Sequence, residues 1–266
     1  MKRVLAALAI LLAGVGSVSA QSVTGVSVDG VYAALLMPSS GKASGAIVLL
    51  AGGDGQIGVG ADGSIARQGN QLVRTRKAYA ARGFAVLVPE GNVNVAAAVK
   101  FMSKYGRVTL VGTSRGTQRA ARGIAAGARP ARLVLTSGFL SDASGDGDNV
   151  MAILGSPAAL PPTLVVHHRQ DTCRLTRPEG VAPFAAWGRG KVRVAWLDGG
   201  QSSGPACEAR SHHGFNGIDG QVVSLLPASP RGSSARPGSD PSPLTLENRI
   251  DAGGERSDPT FVTAAS

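Results

Sequence analysis

Eight short apolar runs containing β-branched residues punctuate this chain, and the spacing between them most limits the folds open to it. They read "SVTGVSV" (22–28), "VYAALLM" (31–37), "AIVLL" (46–50), "FAVLV" (84–88), "RVTLV" (107–111), "RLVLT" (132–136), "TLVVH" (163–167) and "VRVAWL" (192–197). Runs of this length and type form strands. The first two meet at Asp29-Gly30, a hairpin signal. Among the later runs lie segments of helical character, around 69–81, 95–104, 115–126, 183–189 and 215–226. Such alternation predicts an α/β fold, a mostly parallel sheet with helices on both faces. The opening hairpin makes the sheet mixed.

Open α/β sheets bind ligands beyond the carboxyl ends of their strands, so the residues that follow each run are the ones to read. After "AIVLL" comes Ala51-Gly52-Gly53-Asp54-Gly55, and after "RVTLV" comes Gly112-Thr113-Ser114-Arg115-Gly116. After "TLVVH" comes His168-Arg169-Gln170-Asp171, and the loop after "VRVAWL" carries Cys207, His212 and His213. Polar, reactive types stand at the strand ends four times over.

Gly112-x-Ser114-x-Gly116 has the spacing of a nucleophile elbow, where a strained turn exposes a serine hydroxyl. With 37 glycines in 266 residues the bare pattern is weak, and a second copy occurs at Gly200-Gln201-Ser202-Ser203-Gly204. Context separates them. Ser114 follows a buried-strand pattern and precedes "RGTQRAARGIAAGA", whose small residues suit a helix packed closely on a sheet, whereas Ser202 lies in a polar loop with no apolar helix after it.

A serine hydroxyl needs a base within hydrogen-bonding reach and a third group to orient that base. Asp171 and His213 follow Ser114 in the order Ser, Asp, His, each after a strand. In that order and placement the chain resembles the α/β-hydrolase superfamily of esterases, lipases and related acyl hydrolases over about Ser22 to Leu226. The resemblance implies Ser114 as nucleophile, His213 as base and then acid, and Asp171 as the carboxylate that fixes the imidazole. His212 is the alternative base. Asp142, in "GFLSDASGDGD", is the alternative acid, because some members place the acid after the preceding strand. The resemblance also implies an oxyanion hole from the backbone amide of Arg115 and a second amide at Gly53 or Asp54. The common His-Gly start of that loop is replaced here by Ala51-Gly52.

The two cysteines, Cys173 and Cys207, read as one disulfide in an oxidising compartment. Such a bridge would tie the Asp171 loop to the His213 loop, similar to the disulfide beside the triad in tannases and feruloyl esterases; a plain structural staple is the alternative. A redox role would want Cys-x-x-Cys, which is absent.

"GGDGQIGVG" lacks the Gly-Lys-Ser/Thr ending of a phosphate loop and does not fit a dinucleotide fingerprint, so no cofactor is expected. His167-His168-x-x-Asp171 and His212-His213 raise a metallohydrolase reading. Adjacent strand histidines point to opposite faces, so each pair offers one ligand to a shared site. No metal is expected; His167 reads as an inward core residue or one that supports a site residue from behind, and His168 as a loop residue near the site.

The first twenty residues begin with Lys2 and Arg3, run through "VLAALAILLAGVG" and end Val18-Ser19-Ala20. This is the pattern of a cleaved secretory signal, and no later stretch is long and apolar enough to span a bilayer. The expectation is a periplasmic or secreted protein with no stable membrane anchor. From Pro227 the chain is rich in Pro, Ser, Gly and charge and reads as a disordered tail to residue 266; the expected catalytic domain is residues 21–226. Net charge is +10, and +8 once Lys2 and Arg3 leave. This reads as a solubility feature, with attraction to acidic surfaces as the alternative. No basic run is interleaved with aromatics, so no nucleic-acid partner is expected. Between "RLVLT" and "TLVVH" about two dozen residues, including a possible short helix "NVMAILG", leave no room for a large lid. The expected partner is a small-molecule or surface-accessible acyl substrate in an open pocket. The competing class is a binding protein that keeps the fold without turnover.

Overall fold

The structure is a computed structural model that describes residues 21–226. The expected signal (1–20) and tail (227–266) lie outside the described residues. Eight strands form one sheet: β1 (Ser22–Val28), β2 (Val31–Met37), β3 (Ala46–Leu50), β4 (Ala85–Pro89), β5 (Val108–Thr113), β6 (Arg132–Thr136), β7 (Thr163–His168) and β8 (Val192–Leu197). The helices are α1 (Gln71–Ala81), α2 (Val95–Met102), α3 (Arg115–Ala125), α4 (Val150–Leu154), α5 (Val181–Trp187) and α6 (Asp219–Ser224). Strand order is β1-β2-β4-β3-β5-β6-β7-β8, and β2 alone runs against its neighbours. The β1–β2 turn places Asp29 at φ 51° and Gly30 at φ 79°. Both residues of that pair tolerate the left-handed conformation that a two-residue hairpin requires.

Every residue of β3 and β4 is buried, which is why these strands read as unbroken apolar runs rather than alternating ones. Successive side chains serve opposite faces. Val48, Leu50, Leu110, Leu133 and Val165 pack with Val99 and Met102 of α2, Ile124 of α3 and Phe184 of α5. Ile47, Leu49, Val111, Val134 and Val166 pack with Leu72 and Tyr79 of α1 and Val222 of α6. The short "NVMAILG" helix is present as α4, with Asn149 Oδ1 accepting from the Ala152 amide at 3.0 Å.

Two helices differ from expectation. α6 begins at Asp219 rather than Phe215, because Phe215 takes a left-handed φ of 55° at the end of a 3-10 turn over His212–Gly214, and Gly217 follows at φ 84°. α5 begins two residues before Pro183, which falls in the first turn, where its missing N–H costs nothing. It ends at Trp187, and Arg189 at φ 47° turns the chain away.

β5 and α3 meet at a crossing that only glycine permits. A Cβ on Gly112 would stand 2.5 Å from the Gly116 carbonyl oxygen, and one on Gly116 would overlap the Leu50 carbonyl oxygen of β3. The obstructing atoms are backbone and cannot swing aside. Gly116→Ala is therefore expected to destabilise by about 1–3 kcal/mol, the usual cost of forced overpacking. Gly220→Ala in α6, where an added Cβ meets nothing within 4 Å, is expected to be neutral or to stabilise by up to about 1 kcal/mol. Urea unfolding of the two variants checks the contrast.

Candidate active site

Ser114 stands between β5 and α3 at φ 52° and ψ −125°, a region that costs a non-glycine residue on the order of 1–3 kcal/mol. The surrounding backbone holds it there. Its amide donates to the Thr136 carbonyl of β6 (3.0 Å), and its carbonyl accepts from the Thr117 amide (2.9 Å) and Thr117 Oγ1 (2.7 Å). A serine at a helix N-cap ordinarily gives its hydroxyl to the first-turn amides. Ser114 makes no such capping bond, so its hydroxyl is left for the cavity. Ser202 is exposed in the loop between β8 and α6, with neither strand nor helix beside it.

The histidine and the acid meet across two loops. His213 Nδ1 lies 3.0 Å from Asp171 Oδ2 and 3.0 Å from Thr176 Oγ1. With Nδ1 engaged on that side, Nε2 is the nitrogen left for chemistry. Asp171 Oδ1 accepts from the Cys173 amide (2.9 Å), and Oδ2 is also 3.4 Å from Nε2 of His167. His167 is fully buried, edge-on to Trp196 (5.8 Å between ring centres), and neither of its ring nitrogens makes a hydrogen bond of good geometry. Burial pushes the Asp171 carboxyl up, but the histidine rings of His167 and His213, the charge on His213 and the Cys173 amide together outweigh it and hold the group down at about 2.

The other candidates fall elsewhere. Asp142 is exposed and accepts from Asn149 Nδ2 (2.6 Å), with no bond to His213. His212 stacks on His168 with ring centres 4.4 Å apart, its Nδ1 3.3 Å from the Gln170 carbonyl. His168 is not the loop residue expected. It is the last residue of β7 and fully buried, accepting the Gln170 amide at Nδ1 (3.0 Å) with Nε2 2.8 Å from the Gly199 carbonyl. No group of three or more His, Cys, Asp or Glu placed to hold a metal occurs among the described residues.

Ser114 and His213 line one cavity of about 420 Å³ with Gly52, Gly53, Asp54 and Arg115. No hydrogen bond joins Ser114 Oγ to His213 among the described residues; in ligand-free sites such bonds are commonly loose and tighten around substrate. Arg115 opens α3, so its amide has no intrahelical acceptor. The facing glycine loop is braced from behind. Arg119 donates to the carbonyls of Ala51 and Gly53, and the Glu90 carboxylate accepts the amides of Ile57 and Val59. The sequence reading missed Arg119, Glu90 and Thr176. Glu90 had a weak signal, a lone acid at the end of β4; the other two had none.

The Cys173–Cys207 disulfide is formed, and both cysteines line the same cavity. It therefore walls the site as well as joining the two loops.

No protein-family model and no curated protein sequence matches the chain. Solved structures do. The esterase domain of a Rhodothermus marinus protein superposes at a TM-score of 0.55 with 14% identity, covering 78% of this chain and 96% of that one. A dienelactone hydrolase from Anabaena variabilis gives 0.53 and 14%, covering 77% and 94%. An α/β serine hydrolase without lid from Xanthomonas campestris gives 0.52 and 16%, covering 81% and 98%. The chain has the α/β-hydrolase fold.

Two measurements test this description. The folded Asp171 carboxyl is held near 2 against an ordinary 3.8, so the protein binds fewer protons folded than unfolded between those values. Its stabilising contribution is fully present above about pH 4 and is lost as pH falls toward 2. Urea unfolding should show the gap between wild type and Asp171→Asn narrowing over that window. The disulfide closes a separation of 34 residues, and the paired Cys173→Ser/Cys207→Ser variant is expected to lose roughly 4 kcal/mol in the chain-entropy model.

Proposed function

We propose that this protein is a serine hydrolase that cleaves a carboxylic ester, or a related acyl bond, through an acyl-serine intermediate. The observation that carries the reading is the buried Asp171–His213 pair, whose histidine shares a cavity with a serine held in a strained turn and not spent on its helix. The esterase domain and the dienelactone hydrolase on the same fold support the choice of reaction.

In this mechanism Ser114 Oγ attacks the acyl carbonyl carbon while His213 Nε2 takes its proton. The ionised Asp171 holds Nδ1 of the ring and favours the imidazolium that forms. The carbonyl oxygen, now an oxyanion, is received by the Arg115 amide and by that of Gly53 or Asp54. His213 then gives its proton to the leaving oxygen as the carbon–oxygen bond breaks. Water, deprotonated by the same nitrogen, attacks the acyl-serine; as the carbon–Oγ bond breaks, His213 returns the proton to Ser114 and the acid is freed. The steps need only the substrate, water and protein groups, and no cofactor enters the proposal. The substrate is a small or surface-accessible acyl compound, and export fits the formed disulfide.

The test is labelling of the purified protein with a fluorophosphonate probe beside Ser114→Ala and Ser202→Ala. Wild type and Ser202→Ala are expected to label equally, and Ser114→Ala not at all. Asp171→Asn is expected to lower turnover of a model ester on the order of 10⁴-fold, the loss seen when a triad histidine loses its orienting acid. An unlabelled wild type would leave a binding protein on a hydrolase fold as the reading to pursue.

A further inference from the structure

The acids are segregated in space, so that one end of the sheet carries cations alone. Among the described residues every acidic side chain follows the carboxyl end of a strand: Asp29 after β1, Asp54 and Asp62 after β3, Glu90 after β4, and the rest after β6, β7 and β8, up to Asp219 at the start of α6. None stands in the segments that lead from β2 or from a helix into the amino ends of β3 to β8. Those segments carry cations instead. Lys42 precedes β3, Lys104 and Arg107 precede β5, Arg129 precedes β6, Arg132 is the first residue of β6, and Lys100 lies in the last turn of α2.

All six are exposed. β3, β5 and β6 are neighbours in the sheet, so their starts span about 10 Å. Hydrogen bonds from the Ala46 amide to the Arg107 carbonyl (3.1 Å) and from the Ala131 amide to the Val108 carbonyl (2.8 Å) pin the turns side by side. The Arg–carboxylate ion pairs of the described residues are Arg74–Asp219, Arg122–Asp148 and Arg169–Asp198, none of them within this group. Arg129 donates to the carbonyls of Ile124 and Ala128, and Lys104 lies over the rings of Phe101 and Tyr105. Lys42, Lys100, Arg107 and Arg132 have no side-chain partner among the described residues. Lys100, Arg107 and Arg129 border a shallow cleft of about 530 Å³.

We propose that this end of the sheet docks the protein peripherally on an anionic phospholipid surface, with the Ser114 cavity at the opposite end facing solution. The patch is about as wide as the screening length at physiological salt, roughly 8 Å, so its charges act together on a surface of fixed anions. A lipid surface fits better than a nucleic acid. The cations spread over three strand starts and a helix end rather than lining a groove that tracks one backbone. The half-buried rings of Phe101 and Tyr105 beside these cations are covered by Lys104, and Phe84 just before β4 is buried, which leaves no platform for stacked bases. The proposal does not depend on the reaction at Ser114.

Co-sedimentation with vesicles of mixed phosphatidylglycerol and phosphatidylcholine, against phosphatidylcholine alone, tests it. Excess binding to the anionic vesicles is expected, and it should fall at high salt. Lys100→Gln/Arg107→Gln/Arg129→Gln is expected to weaken that binding roughly 100-fold, at about fivefold per cation near such a surface. Arg174→Gln/Arg177→Gln/Arg210→Gln removes the same charge from exposed residues near the other end and is expected to leave binding unchanged. Equal loss in both variants would mean that net charge alone is responsible and would overturn the proposal. Equal binding to both vesicle types, or retention by duplex or single-stranded DNA with no preference for the anionic vesicles, would overturn it too.

Discussion

The backbone of α3 crosses the end of β3 at contact distance, and the site is assembled around that crossing. Gly116 removes the side chain that would hold α3 off β3, and Gly112 the one that would hold it off β5. The chain can then turn from strand to helix in a single residue, and that residue is Ser114. Because the turn is so short, the start of α3 comes to lie against the glycine loop that leaves β3. Arg119, one turn into the helix, reaches back to bond two carbonyls of that loop. A strained serine, an unpaired helix amide and a braced loop are thus products of one close approach. The strain at Ser114 persists because β6, through the Thr136 carbonyl, and α3, through Thr117, leave its backbone nowhere else to go.

The acid side of the site is governed by electrostatics rather than packing. A buried carboxylate is tolerated only when donors replace its lost hydration. Asp171 has the Cys173 amide on one oxygen and His213 on the other, with His167 close by. Thr176 Oγ1 also lies 3.0 Å from His213 Nδ1. Such an arrangement suits a group that stays ionised while its neighbour takes up and releases a proton.

Much of the architecture was legible in the chain. The eight apolar runs correspond to the eight strands within two residues at each end; in the central strands burial on both faces demands continuous apolar sequence, and turn residues bound it. Ser114 stood out from Ser202 by its strand and helix, and the structure brings Asp171 and His213 together where strand-end logic put them. The misses share a physical cause. Phe215 looks like the first residue of an apolar helix, yet Asn216-Gly217 behind it is turn chemistry, and the left-handed Phe215 follows from that turn. His168 reads as a loop residue because β7 extends one residue further than its apolar run. Thr176, Arg119 and the segregation of charge depend on which loops become neighbours, and local sequence carries no record of that.

The disulfide has a topological consequence. Between Cys173 and Cys207 the chain runs through α5 and the edge strand β8 and returns beside its starting point. The segment is a closed covalent ring, with Asp171 just outside one side of the junction and His213 a few residues beyond the other. An edge strand is the part of a sheet most prone to fray. Were β8 to peel away, or to be cut once by a protease, the Asp171 and His213 loops would still leave from the same covalent junction.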